Sequence, residues 1–367
     1  MSRRRGRSPS RAAGFFDYFR AALARLPVGL IRVGPPASPA DLARAEAALG
    51  RPLPEPYATF LQSFDGADLF HETVVVAGVG AEAGLRLDDL VDPGAPLVFA
   101  TGAADERYAL RDDGRVVRQD AGSDEQALVG SGFVAWLDAT VAAHQVLYGP
   151  DGEYAPDVFD PSGEEVTPLI ALRQAERALK QDPEAAGWAH AQGLALARLG
   201  RSRAAVDALE QAAGLDADNP WLWFDLGRAA LESGQGARAA EVFERAAGLE
   251  PGPGRAMLLA WTARAQAESK APPAGRRLAE EALRRDPGLP AALARAIESA
   301  AADGDAAAQA EATALLSAVD PAAVPPARVR LKVLAATEPR LPTPPPARPP
   351  RPSRGGPRRS GARRSGS

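Results

Sequence analysis

The 367-residue chain contains no cysteine, which excludes disulfides, zinc–thiolate centres and thiol nucleophiles. Histidine is almost as scarce. His71, His144 and His190 stand far apart, without the close His spacing that a metal site needs. No apolar run reaches the ~18 residues that cross a bilayer, so no membrane-spanning helix is expected. The N-terminus starts basic, but Asp17, Arg20 and Arg25 interrupt the next stretch, and no small-residue cleavage site appears. A secretory signal is therefore not expected, and the cytoplasm is the default compartment. Few methionines amid abundant Ala, Arg, Gly and Pro suggest a GC-rich bacterial genome.

Catalytic patterns are missing too. Gly78-Val79-Gly80 lacks the further glycine and the lysine of a phosphate-binding loop. The acid pairs Asp88-Asp89 and Asp112-Asp113 are adjacent in sequence, as in solvated turns, and no carboxylate pair stands out for acid–base work. No enzymatic activity, metal or cofactor is expected.

Acids are absent from both ends. Residues 1–11 hold five arginines and residues 339–367 hold eight, with no acid in either stretch. Between them 30 basic residues face all 47 acidic ones, a net charge of −17. Two basic arms thus flank an acidic body. The expected organisation is a disordered basic arm (1–13), a first domain (14–150), a linker rich in Gly, Pro and Asp (151–166), a helical array (167–336) and a disordered Pro/Arg-rich tail (337–367).

In the first domain, Phe15, Phe16, Phe19, Leu23 and Leu26 follow helical spacing. This is either a helix packed on the domain or a membrane-surface helix assisted by the preceding arginines. Ser38 is a good N-cap, Pro39 suits the first helical position, and Gly50 stops the helix. Glu46, Leu49, Gly50, Leu53, Pro54, Tyr57, Phe60, Leu61, Asp65 and Gly66 then form a helix, a Leu-Pro break, an aromatic helix and a turn. Strand-like segments come next at Thr73–Val76, Leu97–Ala100, Tyr108–Leu110 and Arg115–Arg118. The last two flank the hairpin signal Asp112-Asp113-Gly114. Phe133, Trp136 and Leu137 open a closing helix. This pattern resembles the SUKH superfamily, which includes fungal cell-wall-assembly regulators and bacterial immunity proteins; Asp65 stands where the family usually has Asn. The resemblance implies an α+β domain with a non-catalytic binding surface, in which these motif residues are structural.

From Thr167 the chain repeats itself. Shifted by 34 residues, Ala189 lands on Trp223, Gly193 on Gly227, Gly200 on Gly234, Ala205 on Ala239, Leu209 on Phe243 and Ala212 on Ala246. Independently, Asp182-Pro183, Asp216-Ala217, Glu250-Pro251, Asp286-Pro287 and Asp320-Pro321 stand 34, 34, 36 and 34 residues apart. This period and these residues resemble the tetratricopeptide repeat. The expected array is a leading helix (168–181), two well-formed repeats, two degenerate ones (256–287 and 290–321) and a capping helix (327–336).

The repeat resemblance implies a concave groove lined by His190, Leu194 and Arg198, then Trp221, Phe224 and Arg228, then Met257, Ala260 and Arg264. Trp221 and Phe224 are the expected anchors, with an acidic or aromatic peptide as ligand. Trp223 and Phe243 belong to the packing between helices. The whole reads as a multidomain chain, an α+β SUKH-like domain followed by an all-α tetratricopeptide solenoid, acting as a protein-binding adaptor or scaffold. An immunity role would place the acidic body against a basic toxin. The alternative is a nucleic-acid-associated factor that uses the arginine-rich tail. That tail equally suits a solvated tether or a segment folded back on the acidic body.

Overall fold

The computed structural model describes residues 11–320, apart from 81–82, 91–94, 123–125, 161–162, 164–165 and 270–271. The expected capping helix 327–336 and the arginine-rich tail lie outside the described residues.

Seven strands pair in chain order as an antiparallel meander: β1 (Ile31–Val33), β2 (Ala67–Leu69), β3 (Val74–Val76), β4 (Leu97–Gly102), β5 (Arg107–Leu110), β6 (Val116–Gln119) and β7 (Gln126–Gly130). The turn between β5 and β6 falls at Gly114, whose φ of 83° suits a residue without a side chain. One sheet face is buried under α1 (Arg11–Leu23), α2 (Pro39–Leu49), α3 (Glu55–Leu61) and α4 (Phe133–His144) in a single aromatic-rich core. The N-cap of α2 is as expected: the Ser38 hydroxyl accepts the Asp41 N–H at 3.1 Å. The apolar face of α1 is spent on the domain. Phe16 and Phe19 are buried, against Phe60 and Phe64 respectively, which leaves them unavailable to a membrane.

Beyond α4 the chain folds back through bridges between Tyr148 and Tyr154 and between Phe159 and Val166, and buries Val158 with Leu147 and Ile170. Helix α5 (Pro168–Gln181) then packs on α4. Four helix pairs come after it: α6 (Ala186–Arg198) with α7 (Ser202–Leu215), α8 (Pro220–Glu232) with α9 (Gly236–Leu249), α10 (Gly254–Glu268) with α11 (Pro272–Arg285), and α12 (Leu289–Asp303) with α13 (Ala306–Val319). The glycines of the 34-residue overlay set the closeness of the first two pairs. A Cβ on Gly193 would lie 2.5 Å from the Leu209 side chain, and one on Gly227 2.5 Å from Phe243. Leu209 and Phe243 correspond in the two repeats, so a large residue faces glycine each time. The fourth pair breaks the stacking. Helix α12 makes little contact with α11, and α13 packs on α10 and α11 in its place.

The two modules share a core. Ala109, Val117 and Leu128 are register partners on the second face of the sheet, and they pack with Ala186, Ala189, Val206 and Leu209 of the solenoid. Helix α6 approaches β7 so closely that a Cβ on Gly187 would sit 3.0 Å from Val129 and 3.3 Å from the Leu128 carbonyl oxygen. Asp182, buried at the end of α5, accepts the Ser131 N–H at 2.7 Å. The first Asp-Pro pair thus ends a helix and also clamps the α+β unit.

Candidate functional site

The concave positions centre on α8. Asn219 caps this helix by accepting the Trp221 N–H at 3.0 Å, and Pro220 begins it. Trp221 is half-buried, with its ring edge-on to Phe224 at 6.0 Å. Phe224 sits deeper, 5.5 Å from Trp261 and 5.9 Å from Phe243. The Arg228 guanidinium lies over both Phe224 and Trp261, at 5.8 and 5.9 Å, and that of Arg264 lies 5.1 Å from the centre of the Trp261 ring. Two half-buried rings, Trp221 and Phe224, and two arginines therefore lie together over the buried Trp261, a composition that interfaces concentrate.

The structure brings Trp221, Phe224, Arg228, Met257 and Arg264 together. Met257 is half-buried on the same cluster. His190 joins from α6, its Nε2 2.7 Å from the Asp225 carboxylate. Leu194 and Arg198 are further along α6, with Leu194 exposed, and Ala260 is fully buried. Trp261, buried beneath the cluster, and the paired carboxylates of Asp225 and Glu311 also belong to this region, and the sequence pattern did not single them out. Trp261 carried a usable signal, because it falls four residues after Met257 and three before Arg264, on the same helical face. Glu311 carried none. It reaches Arg228 at 3.0 Å only because the last helix pair abandons the regular stack.

That contact settles the electrostatics of the groove. Arg228 is paired with Glu311, Arg264 with Glu268 at 3.2 Å, and His190 with Asp225. These charges are matched within the chain, while the Trp221 and Phe224 rings stay only half-buried.

The motif residues of the α+β unit do structural work. Glu46 accepts the Leu53 N–H at 3.1 Å, tying α2 to the Leu-Pro break. The Tyr57 hydroxyl donates to the Ala77 carbonyl at 2.7 Å, and burial pushes its phenol well above the usual range. Phe133 lies 5.3 Å from Tyr57 and 5.4 Å from Phe60, and Trp136 meets Phe99 edge-on at 4.9 Å. Leu53, Leu61 and Asp65 are buried, while Leu49 is half-buried against the same core. Gly50 closes α2 with φ 66°, close in sequence to Pro54 at the N-cap of α3.

Asp65 explains the glycine pair that failed as a phosphate loop. Its Oδ1 accepts the Val79 N–H at 2.6 Å and its Oδ2 the Gly80 N–H at 2.8 Å. A Cβ on Gly78 would lie 2.7 Å from Oδ1. The Gly78-Val79-Gly80 loop is a cradle for an anion, and the anion is the chain's own carboxylate. Two N–H donors, one per oxygen, suit Asp better than Asn, whose amide has a single acceptor. Gly66, at φ 86°, completes the turn.

No group of metal-ligating side chains and no helix long and apolar enough to cross a membrane occur among the described residues.

An antiparallel meander under helices, joined to an array of helix pairs with an aromatic–arginine cluster centred on α8, defines a two-module chain. Residues 36–139 match the SMI1/KNR4 family (SUKH-1), and residues 196–262 match the tetratricopeptide repeat. The first match lies in the α+β unit and the second in the helix-pair array, and stacks of tetratricopeptide repeats present extended concave binding surfaces. Among solved structures it is similar to the MamA protein, at 20% identity over 33% of this chain and 65% of that one, just under two thirds, with TM-score 0.31. It is also similar to YrrB, described as a TPR protein with an unusual peptide-binding site, at 19% identity over 46% and 82% of the two chains, TM-score 0.32. A third is the C-terminal part of a TPR repeat-containing protein from Cytophaga hutchinsonii, at 18% identity over 46% and 66%, TM-score 0.31. A comparison with curated proteins found no match.

Proposed function

We propose that this chain is a non-catalytic adaptor that holds a peptide segment of a partner protein in the solenoid groove. The observation that carries this reading is the half-buried Trp221–Phe224 pair, seated on the buried Trp261 beside Arg228 and Arg264. Its polar groups are already paired, so an aromatic or aliphatic anchor on the ligand gains most from burial there, and an acidic group gains only by displacing Glu311. The α+β unit, fixed to the solenoid by a shared core, supplies a second recognition surface. The SUKH-1 match supports an immunity-type role in general terms, and an acidic body of −17 suits a basic toxin as the neutralised partner.

The test is capture from a lysate at moderate salt with the full chain and with Trp221→Ala. A partner held by the first and lost from the second supports the groove; equal retention contradicts it. The nucleic-acid alternative is favoured by the eight unaccompanied arginines of residues 339–367. It requires capture to collapse with rising salt and with nuclease treatment.

A further inference from the structure

A second concave site lies where α1, α4 and α5 meet, so both modules line it. Its volume is about 460 Å3, within the range of ligand subsites. The floor is apolar, made by Phe19, Leu23, Leu26, Val141 and Val146. Around it stand Arg25, Asp138, Gln145, Arg177 and Gln181. None of these five polar side chains makes a hydrogen bond or ion pair among the described residues. Two guanidiniums and a carboxylate thus share one cleft without any of them pairing.

Asp138 is the informative member. It is partly removed from water, and burial alone pushes its carboxyl above the ordinary range, with no donor to offset the loss. Asp41 and Asp113 differ: both are held below that range, Asp41 first by the Ser38 hydroxyl and Asp113 first by the Arg115 N–H. Asp138 therefore makes no side-chain hydrogen bond or ion pair that holds the fold among the described residues. A half-buried carboxylate without a donor, in a cleft, is a candidate ligand contact.

The cleft also has a direction. It shares Arg25, Leu26 and Gln145 with a neighbouring depression that runs past Pro27, Val28 and Tyr148. Two adjoining depressions with a shared rim suit an extended chain rather than a compact small molecule. We propose that this junction cleft binds a peptide segment of a partner protein, with a ligand carboxylate on Arg25 and Arg177, an aliphatic side chain on the apolar floor and a ligand cation on Asp138. The site is separate from the solenoid groove and does not depend on it.

The experiment uses the full chain with labelled Leu and Val methyl groups and three probes: acetyl-Glu-Leu-Lys-amide, acetyl-Lys-Leu-Glu-amide and the uncharged acetyl-Gln-Leu-Gln-amide. At least one charged peptide should shift the methyls of Leu23, Leu26, Val141 and Val146 saturably, and bind at least tenfold more tightly than the uncharged one. Asp138→Asn and Arg177→Ala should each weaken that binding at least fivefold, while Trp221→Ala leaves it unchanged. Asp138→Asn should melt at the same temperature as the parent or higher. The proposal is overturned if no charged peptide moves these methyls, if charge makes no difference, or if the two variants bind normally. A lower melting temperature for Asp138→Asn also overturns it, because the carboxylate then serves the fold. Equal binding of free glutamate and lysine would overturn the peptide assignment in particular.

Discussion

The solenoid groove and the junction cleft offer charge to a ligand in opposite ways. In the groove, His190, Arg228 and Arg264 each face a carboxylate of the same chain. In the cleft, Arg25, Asp138 and Arg177 face none among the described residues. A residue's type and helical position say which surface it lines, but its partners decide what it can still give. On the proposed reading the groove recognises a ligand through its half-buried rings, and the cleft through charge. Arginines in a repeat groove point at first sight to an acidic ligand. Here the chain already supplies the acids.

The largest effects separate anchor from core within the groove. Phe224→Ala should cost up to about 3 kcal/mol of stability, since its half-buried ring packs on Phe243 and Trp261. Trp221→Ala should cost less, because its ring meets Phe224 and not the Phe243–Trp261 core, yet remove most of the binding. Chemical denaturation of both variants beside a binding assay checks this; equal destabilisation would erase the distinction.

The next contrast sets two aspartates against each other. Asp65→Asn leaves one buried N–H without an acceptor and should destabilise by about 1–3 kcal/mol. Asp138→Asn should be neutral or stabilising. Denaturation midpoints of the two variants should therefore move in different directions, or at least by clearly different amounts.

A charge-removal variant sharpens the groove account. Glu311→Gln should free Arg228 and raise affinity for acidic peptides severalfold, while loosening α13 by roughly 1 kcal/mol. Peptide titration at low and high salt reads the first effect, and amide exchange across α13 the second.

A smaller effect concerns pH. His144 lies half-buried against Phe70, at 5.5 Å, and loss of solvent pushes its imidazole below the ordinary value of 6.5. The unfolded chain then binds the proton more readily than the folded one. Stability should be full above about pH 6.5 and fall as pH drops below it. His144→Gln should flatten that part of the melting profile relative to the parent, after the background from carboxylates common to both is subtracted.

Much of the fold was legible because its signals are local or periodic. The 34-residue overlay placed α6 to α9, and Ser38, Gly50 and Gly114 marked ends that depend on a single residue's conformation. Strands β1, β2 and β7 were not anticipated. Two are three residues long, too short to show alternation, and β7 begins beside a segment of turn-forming residues. The shared core between modules was equally hidden, since Ala109, Val117 and Leu128 look like any strand interior until α6 covers them. For the groove, the positions could be read from the repeat, but Asp225 and Glu311 could not. Pairing across 35 and 83 residues is a property of the stack. The junction cleft was invisible for the same reason, as its walls come from helices some 160 residues apart in the chain.

The central claim is that the solenoid groove, and not the arginine-rich tail, holds the partner. The most direct measurement is the affinity of the captured partner for the full chain, for Trp221→Ala and for a chain ending at residue 338, each at low and high salt. The account predicts at least a tenfold loss with Trp221→Ala, no loss on removing the tail and weak salt dependence. Undiminished binding by Trp221→Ala, with collapse on tail removal and with salt, would contradict it.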